Sequence, residues 1–196
     1  WSDPRLPSTL LAEGSWYIYG DLVAAMERMG ATGVFDPGRV VMVADHFMPA
    51  KDVRSAELQK RLREWSHEQG VRFFDQGRGG IEHAVLIEEG LVVPGMVIPG
   101  GDSHTCTYGA VGAFGTGLGS TDIAGCLALG EFWQTVPGTI RIELTGQPGR
   151  CVTGKDVILA VLDEIGVDGG NDTVLEFVGP GVRTLSMDDR RAAANM

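Results

Sequence analysis

The sequence predicts an α/β fold, a mostly parallel sheet with flanking helices, on three observations. Short β-branched apolar runs recur along the chain, stretches with apolar residues at helical spacing lie between them, and glycine or proline marks almost every boundary. Glycine supplies 29 of the 196 residues, about twice its usual share of roughly 7%. The connections therefore turn tightly and bring backbones close together. No internal repeat is visible.

Residues 21–29 read as a helix, with Leu22, Val23, Met26 and Met29 at helical spacing and Gly30 as its stop. Residues 40–44 form a nearly continuous apolar run between Pro37-Gly38 and Asp45, the signature of a strand buried on both faces. Over 55–69, Leu58, Leu62 and Trp65 recur at helical spacing ahead of Gly70, which predicts a polar-faced helix. A short strand over 71–74 follows, then a glycine hinge at 77–80. Residues 91–98 form another apolar, β-branched stretch, interrupted by Pro94-Gly95 and followed at once by the polar cluster 100–107.

Residues 109–119 are rich in glycine, and Ser120-Thr121-Asp122 opens a helix running through Ile123, Leu127, Leu129 and Phe132. After Pro137-Gly138, Ile140, Ile142 and Leu144 alternate with polar residues over 139–145, as in a half-exposed strand. Thr153 caps a helix whose buried stripe is Val157, Ile158, Val161, Leu162 and Ile165, ending at Gly166. A strand is expected over 173–178, and 186–196 reads as a helix just beginning. Three segments are expected: 1–29, a divergent start with the first helix; 30–170, the main domain; and 171–196, the start of a second.

With 26 acidic against 16 basic residues the formal charge is −10, which repels phosphate backbones and anionic membrane surfaces, and no local basic patch reverses it. The longest apolar runs are too short to cross a bilayer and no signal segment opens the chain, so a soluble cytoplasmic protein without nucleic-acid or membrane partners is expected. Cys106, Cys126 and Cys151 are odd in number and far apart. Reduced thiols are expected rather than a disulfide framework or a metal knuckle.

Of the four histidines, His46, His83 and His104 are placed at strand-to-loop transitions beside acidic residues or glycine. In open α/β sheets ligands bind beyond the carboxyl ends of strands, so Asp45-His46 and Asp102-Ser103-His104 occupy the expected place. An adjacent carboxylate fixes a histidine tautomer and raises its proton affinity, which suits an acid delivering a proton to a departing hydroxyl. A single Asp-His pair is better explained by a capping aspartate and a structurally satisfied histidine. Three histidines beside one glycine-rich region point instead to a site, where glycine admits backbone amides to an anionic ligand and Ser103 adds a hydroxyl. His67, between Ser66 and Glu68 on the polar-faced helix, reads as a solvated surface residue. The glycines over 112–119 lack the strict dinucleotide-loop spacing, and no His-x-x-x-His or Cys-x-x-Cys pattern supports a metal at the histidines.

Four motifs in order, Asp45-His46-Phe47-Met48-Pro49-Ala50, Gly80-Ile81-Glu82-His83, Gly101-Asp102-Ser103-His104-Thr105-Cys106-Thr107-Tyr108-Gly109 and Gly117-Leu118-Gly119-Ser120-Thr121-Asp122, resemble the aconitase superfamily. The nearest branch is that of the 3-isopropylmalate dehydratase and homoaconitase large subunits. The resemblance covers roughly 30–196 and implies an aconitase-type N-terminal domain. It implies dehydration and rehydration of a 2-hydroxy di- or tricarboxylate at a [4Fe-4S] cluster acting as Lewis acid. It further implies that His46, supported by Asp45, protonates the departing hydroxyl, that Asp102, Ser103 and His104 contact substrate and water, and that His83 orients this network.

The chain also departs from the family pattern. The family's Cys-Thr-Asn and Cys-Gly-Pro-Cys cluster segments do not occur in these residues, so the cluster's cysteine ligands are absent and Cys106 reads as a structural or substrate-proximal thiol. A small subunit or the remaining cluster-bearing domains are the implied partners. Family members place a strand before the first helix, for which 1–20 shows no convincing equivalent; Tyr17-Ile18-Tyr19 is a strand candidate of different origin. Part of a hydro-lyase is the leading expectation, and an inert fragment or interaction module retaining the fold is the alternative.

Overall fold

In the computed structural model, which describes residues 12–196 and their side chains from residue 20 onward, a five-stranded sheet organises the first part of the chain. The elements follow as β1 (Ala12–Ser15), α1 (Trp16–Arg28), β2 (Val40–Val43), α2 (Val53–Gln69), β3 (Arg72–Phe74), α3 (Glu82–Glu88), β4 (Val97–Gly100), β5 (Phe114–Gly117) and α4 (Ser120–Leu129). The strands lie in the order β3-β2-β1-β4-β5, and every neighbouring pair is parallel. The chain builds outward from β1 to β3 and returns to the other side of β1 for β4 and β5. In such a sheet the loops beyond the C-terminal edge diverge at the strand where the order reverses, leaving a crevice there.

The buried β2 run works as expected of a central strand. Val40 and Met42 join Leu22 and Met26 of α1, Leu62 and Trp65 of α2, and Ile123 and Leu127 of α4 in one apolar cluster. Val41 and Val43 point the other way, into a cluster with Val85 and Leu86 of α3, Ile98 and Tyr108. The period of two along a strand thus divides one apolar run between two cores, which is why the run shows no alternation. Truncating fully buried Leu62 or Leu127 to alanine would cost ~2–5 kcal/mol. α2 begins at Asp52, whose carboxylate accepts from the Ser55 N–H, and stops at Gly70 in the left-handed region at φ 67°.

Three expectations change. Tyr17-Ile18-Tyr19 lies inside α1, and the strand preceding that helix is β1 at the centre of the sheet, formed by a segment too short and too polar to show a strand pattern. Of the apolar stretch 91–98 only the end belongs to β4, because Gly95 at φ 84° turns the chain before it. The glycine-rich stretch contains β5, whose glycines lie under a neighbouring loop rather than flanking an open one. A Cβ on Gly115 would stand 2.2 Å from the Thr105 carbonyl oxygen, and one on Gly117 2.6 Å from that of Asp102. Only glycine lets the polar loop after β4 lie directly on β5.

A second unit runs from Trp133 to Met196, so the break in compactness precedes the boundary expected between 170 and 171. It contains β6 (Gly138–Glu143), α5 (Gly154–Ile165), β7 (Thr173–Val178) and α6 (Met187–Asn195), with β6 and β7 parallel. Ile158, Val161 and Ala193 form its buried apolar cluster. Both helices open with capping boxes, Thr153 with Asp156 and Ser186 with Asp189. The expected start segment 1–29 falls partly outside the described residues.

Candidate active site

β2 and β4 flank β1, and the residues after each strand meet beyond the carboxyl edge. After β2 comes Asp45-His46. One Asp45 oxygen accepts from both the His46 backbone N–H and the His46 ring Nδ1, each at 2.6 Å. Its other oxygen accepts from the Glu82 backbone N–H at 3.1 Å, tying this loop to the start of α3. The turn is held sharply: Phe47 adopts φ 52°, a costly region for a bulky residue, and Gln59 of α2 donates to its carbonyl at 3.0 Å.

After β4 comes Asp102, the hub of the site. Its Oδ1 accepts from the His104 backbone N–H at 2.7 Å and from His83 Nε2 at 2.9 Å, with His104 Nδ1 at 3.3 Å. Its Oδ2 faces His46 Nε2 at 3.7 Å. Burial opposes ionisation of Asp102, but donation from the His104 backbone and His83, with the nearby charge of both imidazoles, holds its carboxyl below the usual range. The loop is pinned from beneath, since Thr105 Oγ1 donates to the Asp102 carbonyl at 2.7 Å and Thr105 is fully buried. Ser103 Oγ lies 3.1 Å from His104 Nδ1.

The structure thus brings together Asp45, His46, His83, Asp102, Ser103 and His104. His83 reaches the group differently from expected: it sits in the first turn of α3, its ring edge-on to buried Tyr108 with centroids 5.5 Å apart. The burial is graded. Side-chain exposure is 0% at Glu82, 7% at His83, 15% at Asp102, 42% at His46 and 54% at His104. Two carboxyl side chains and one imidazole are therefore gathered at the base of the site, and two imidazoles stand at its top. The sequence does not single out Glu82 within its motif, because a carboxylate beside a histidine carries no signal of burial until α3 is placed. His67 is exposed on α2, as its neighbours suggest.

The described residues do not make a site for a thiolate-held cluster. Cys126 lies in the apolar core, where burial pushes its thiol up to about 11. Cys106 is exposed on the loop after Asp102, with desolvation and the Asp102 charge raising its thiol, and Cys151 belongs to the second unit. Among the described residues the group of three metal-ligand side chains that converge, with donor atoms within 4.8 Å, is Glu82, His83 and Asp102, without a cysteine. No helix among them is long and apolar enough to cross a membrane.

Residues 22–196 match the model of the Aconitase family (aconitate hydratase). Among curated proteins, the 3-isopropylmalate dehydratase large subunit 2 of Rubrobacter xylanophilus is 71% identical over 171 residues, covering 87% of this chain and 40% of that protein. The large subunits of the same name from Acetivibrio thermocellus and Aquifex aeolicus are 53% and 49% identical, over 89% of this chain and 42% and 40% of theirs. The chain spans about two fifths of the length of these relatives.

Proposed function

We propose that this chain, which belongs to the aconitase family, supplies the proton-delivering and substrate-facing residues of a hydro-lyase acting on 2-hydroxy di- or tricarboxylates such as 3-isopropylmalate. The observation that carries this reading is the Asp102 carboxylate, which gathers three histidines from three separate elements at the crevice edge of a parallel sheet. The names of the relatives support the substrate class.

In this reading His46 is the acid. Asp45 holds the Nδ1 proton and stabilises the imidazolium, leaving the Nε2 proton for the substrate. When the carbon–oxygen bond breaks, its electron pair leaves with the hydroxyl, the His46 Nε2 proton joins it, and water departs. The pair of the adjacent carbon–hydrogen bond becomes the new double bond, and a base beyond the residues assigned here takes that proton. Exposed Ser103 and His104 offer donors to a substrate carboxylate, and the half-buried Asp102 accepts from a substrate or water hydroxyl.

Family membership implies an iron-sulfur cluster, a Lewis acid for hydroxyl and carboxylate; the cysteines described here do not fit one, so its ligands come from outside this set. A small subunit is the proposed partner. The same cysteine arrangement favours, as a second reading, an inert module that keeps the fold.

The test is turnover of 3-isopropylmalate by the assembled enzyme containing this chain, followed by ultraviolet absorbance of the unsaturated acid. His46→Ala is expected to lower kcat roughly 10²–10⁴-fold with little change in KM. Unchanged turnover, or a wild-type assembly that dehydrates no 2-hydroxy acid, supports the inert module.

A further inference from the structure

α2 contributes Leu62 and Trp65 to the apolar cluster it shares with α1, β2 and α4, but one turn earlier on the same buried face stands Gln59, only 6% exposed. Ser55, Gln59, Leu62 and Ser66 follow one another at helical spacing and all are buried, so an aliphatic side chain at 59 would simply continue the stripe. A buried amide is costly unless it is hydrogen-bonded. Gln59 Nε2 donates at 3.0 Å to the carbonyl of Phe47, 12 residues earlier and directly after His46. Phe47 is also where the loop resists its own conformation. Its φ of 52° lies in the left-handed region, and its ring is 44% exposed, with Lys51 Nζ 4.3 Å from the ring centroid, so an apolar core does not hold it there. The chain on either side is fixed: the Ala44 N–H donates to the Phe74 carbonyl at 2.9 Å, and Asp52 caps α2 through the Ser55 N–H at 2.7 Å. Between these anchors, a swing of Phe47 toward negative φ displaces His46, because neither the strand end nor the helix start can follow.

We infer that Gln59 is a positioning residue for His46: by holding the Phe47 carbonyl it keeps the turn after β2 in its left-handed conformation and so fixes where the His46 ring stands. The inference rests on the hydro-lyase reading for its effect on turnover, while the geometry it describes does not. Asp45 bonds His46 at its backbone N–H and at Nδ1, both at 2.6 Å, which fixes the ring relative to its own main chain. The Asp45 flank is anchored to α3 through the Glu82 N–H. Gln59 supplies the anchor on the Phe47 flank, from α2, and His46 is thereby held from both sides with its Nε2 3.7 Å from Asp102 Oδ2. Displacing a reacting group by about 1 Å can cost on the order of 10²-fold in rate. A loosened Phe47 turn is therefore read in kcat. KM changes less, because the donors offered to a substrate carboxylate, Ser103 and His104, belong to the loop after β4. A bond that merely pinned loop to helix would change stability without moving His46.

Gln59→Met tests it, since methionine keeps the length and unbranched shape of the side chain and removes the donor. In the purified chain, imidazole nitrogen NMR at one pH should show the His46 signals, assigned through His46→Gln, shifted in Gln59→Met, with those of exposed His67 unmoved. In the assembled enzyme, Gln59→Met should lower kcat about tenfold while KM changes less than about twofold. Phe47→Asn supplies the rescue, because asparagine tolerates the left-handed region without being held there. In that background the kcat loss from Gln59→Met should shrink to about threefold or less. Unmoved His46 signals in a folded Gln59→Met chain overturn the inference, as does a variant that loses thermal stability but keeps its kcat, or an equal kcat loss in both backgrounds. If Gln59→Met does not fold, Gln59→Glu, which keeps the size and polarity but turns an acceptor toward the Phe47 carbonyl, is judged by the same outcomes. A wild-type assembly without turnover, in a protein whose His46 signals still shift, ends the hydro-lyase reading and leaves the positioning role standing.

Discussion

The second unit and the crevice edge of the first use the same hydrogen-bonding groups in opposite ways. In the second unit Thr153 bonds with Asp156 and Ser186 with Asp189, each pair three residues apart and exposed; Asp189 also accepts from the Gly154 N–H 35 residues away, and these bonds open two helices and tie them together without ordering an imidazole. At the crevice edge Asp45 reaches a backbone N–H 37 residues away and Asp102 a ring nitrogen 19 residues away, and these bonds fix where imidazoles stand. All four histidines lie before Phe132 and none after. Local carboxylate bonds stabilise elements, whereas carboxylate bonds across the sheet edge order groups that can exchange protons.

The largest effect expected from breaking this contrast comes from the loop's footing. Gly115→Ala drives a Cβ into the Thr105 carbonyl and should destabilise the chain by about 3 kcal/mol or more, measured by urea unfolding, while shifting the His83 and His104 NMR signals. Ser186→Ala should cost only about 1 kcal/mol as a lost helix cap and leave all histidine NMR signals unmoved. An effect on His46, His83 or His104 would erase the distinction between the two regions.

Smaller again is an acid effect. Folding lowers the Asp102 carboxyl below 3.8, so its contribution is whole above that pH and is lost as pH falls through the lower folded value. The stability gap between wild type and Asp102→Asn should therefore narrow on acidification below 3.8; a constant gap would mean that the charge is not what stabilises. The smallest signal is thiol labelling near neutral pH. Cys151 should react first, Cys106 more slowly with its raised thiol, and Cys126 only on unfolding.

The same contrast explains what the residues disclose unaided. The elements of the second unit, though not its boundary, are legible almost to the residue, with the strand at 173–178 and the helix after Thr153 found where expected, because their signals are local: capping residues, an amphipathic stripe and glycine stops. At the site, Asp45-His46 and Asp102-Ser103-His104 are legible as short polar clusters following apolar strands. The placement of His83 on a helix and the burial of Glu82 are not, since both depend on how α3 packs beneath the loop after β4. β1 escapes for a related reason. Its strand character comes from its neighbours on both sides in the sheet, not from its own four residues, Ala12–Ser15.

The central claim is that one carboxylate, Asp102, governs three histidines from three elements. Imidazole nitrogen NMR spectra of the wild-type chain and of Asp102→Asn, compared at one pH, test it most directly, with exposed His67 as the internal reference. The expected result is that the ring-nitrogen signals of His46, His83 and His104 all shift in the variant while that of His67 does not move. A shift confined to His104, its near neighbour in sequence, would contradict it, because the hub would then be no more than a local turn.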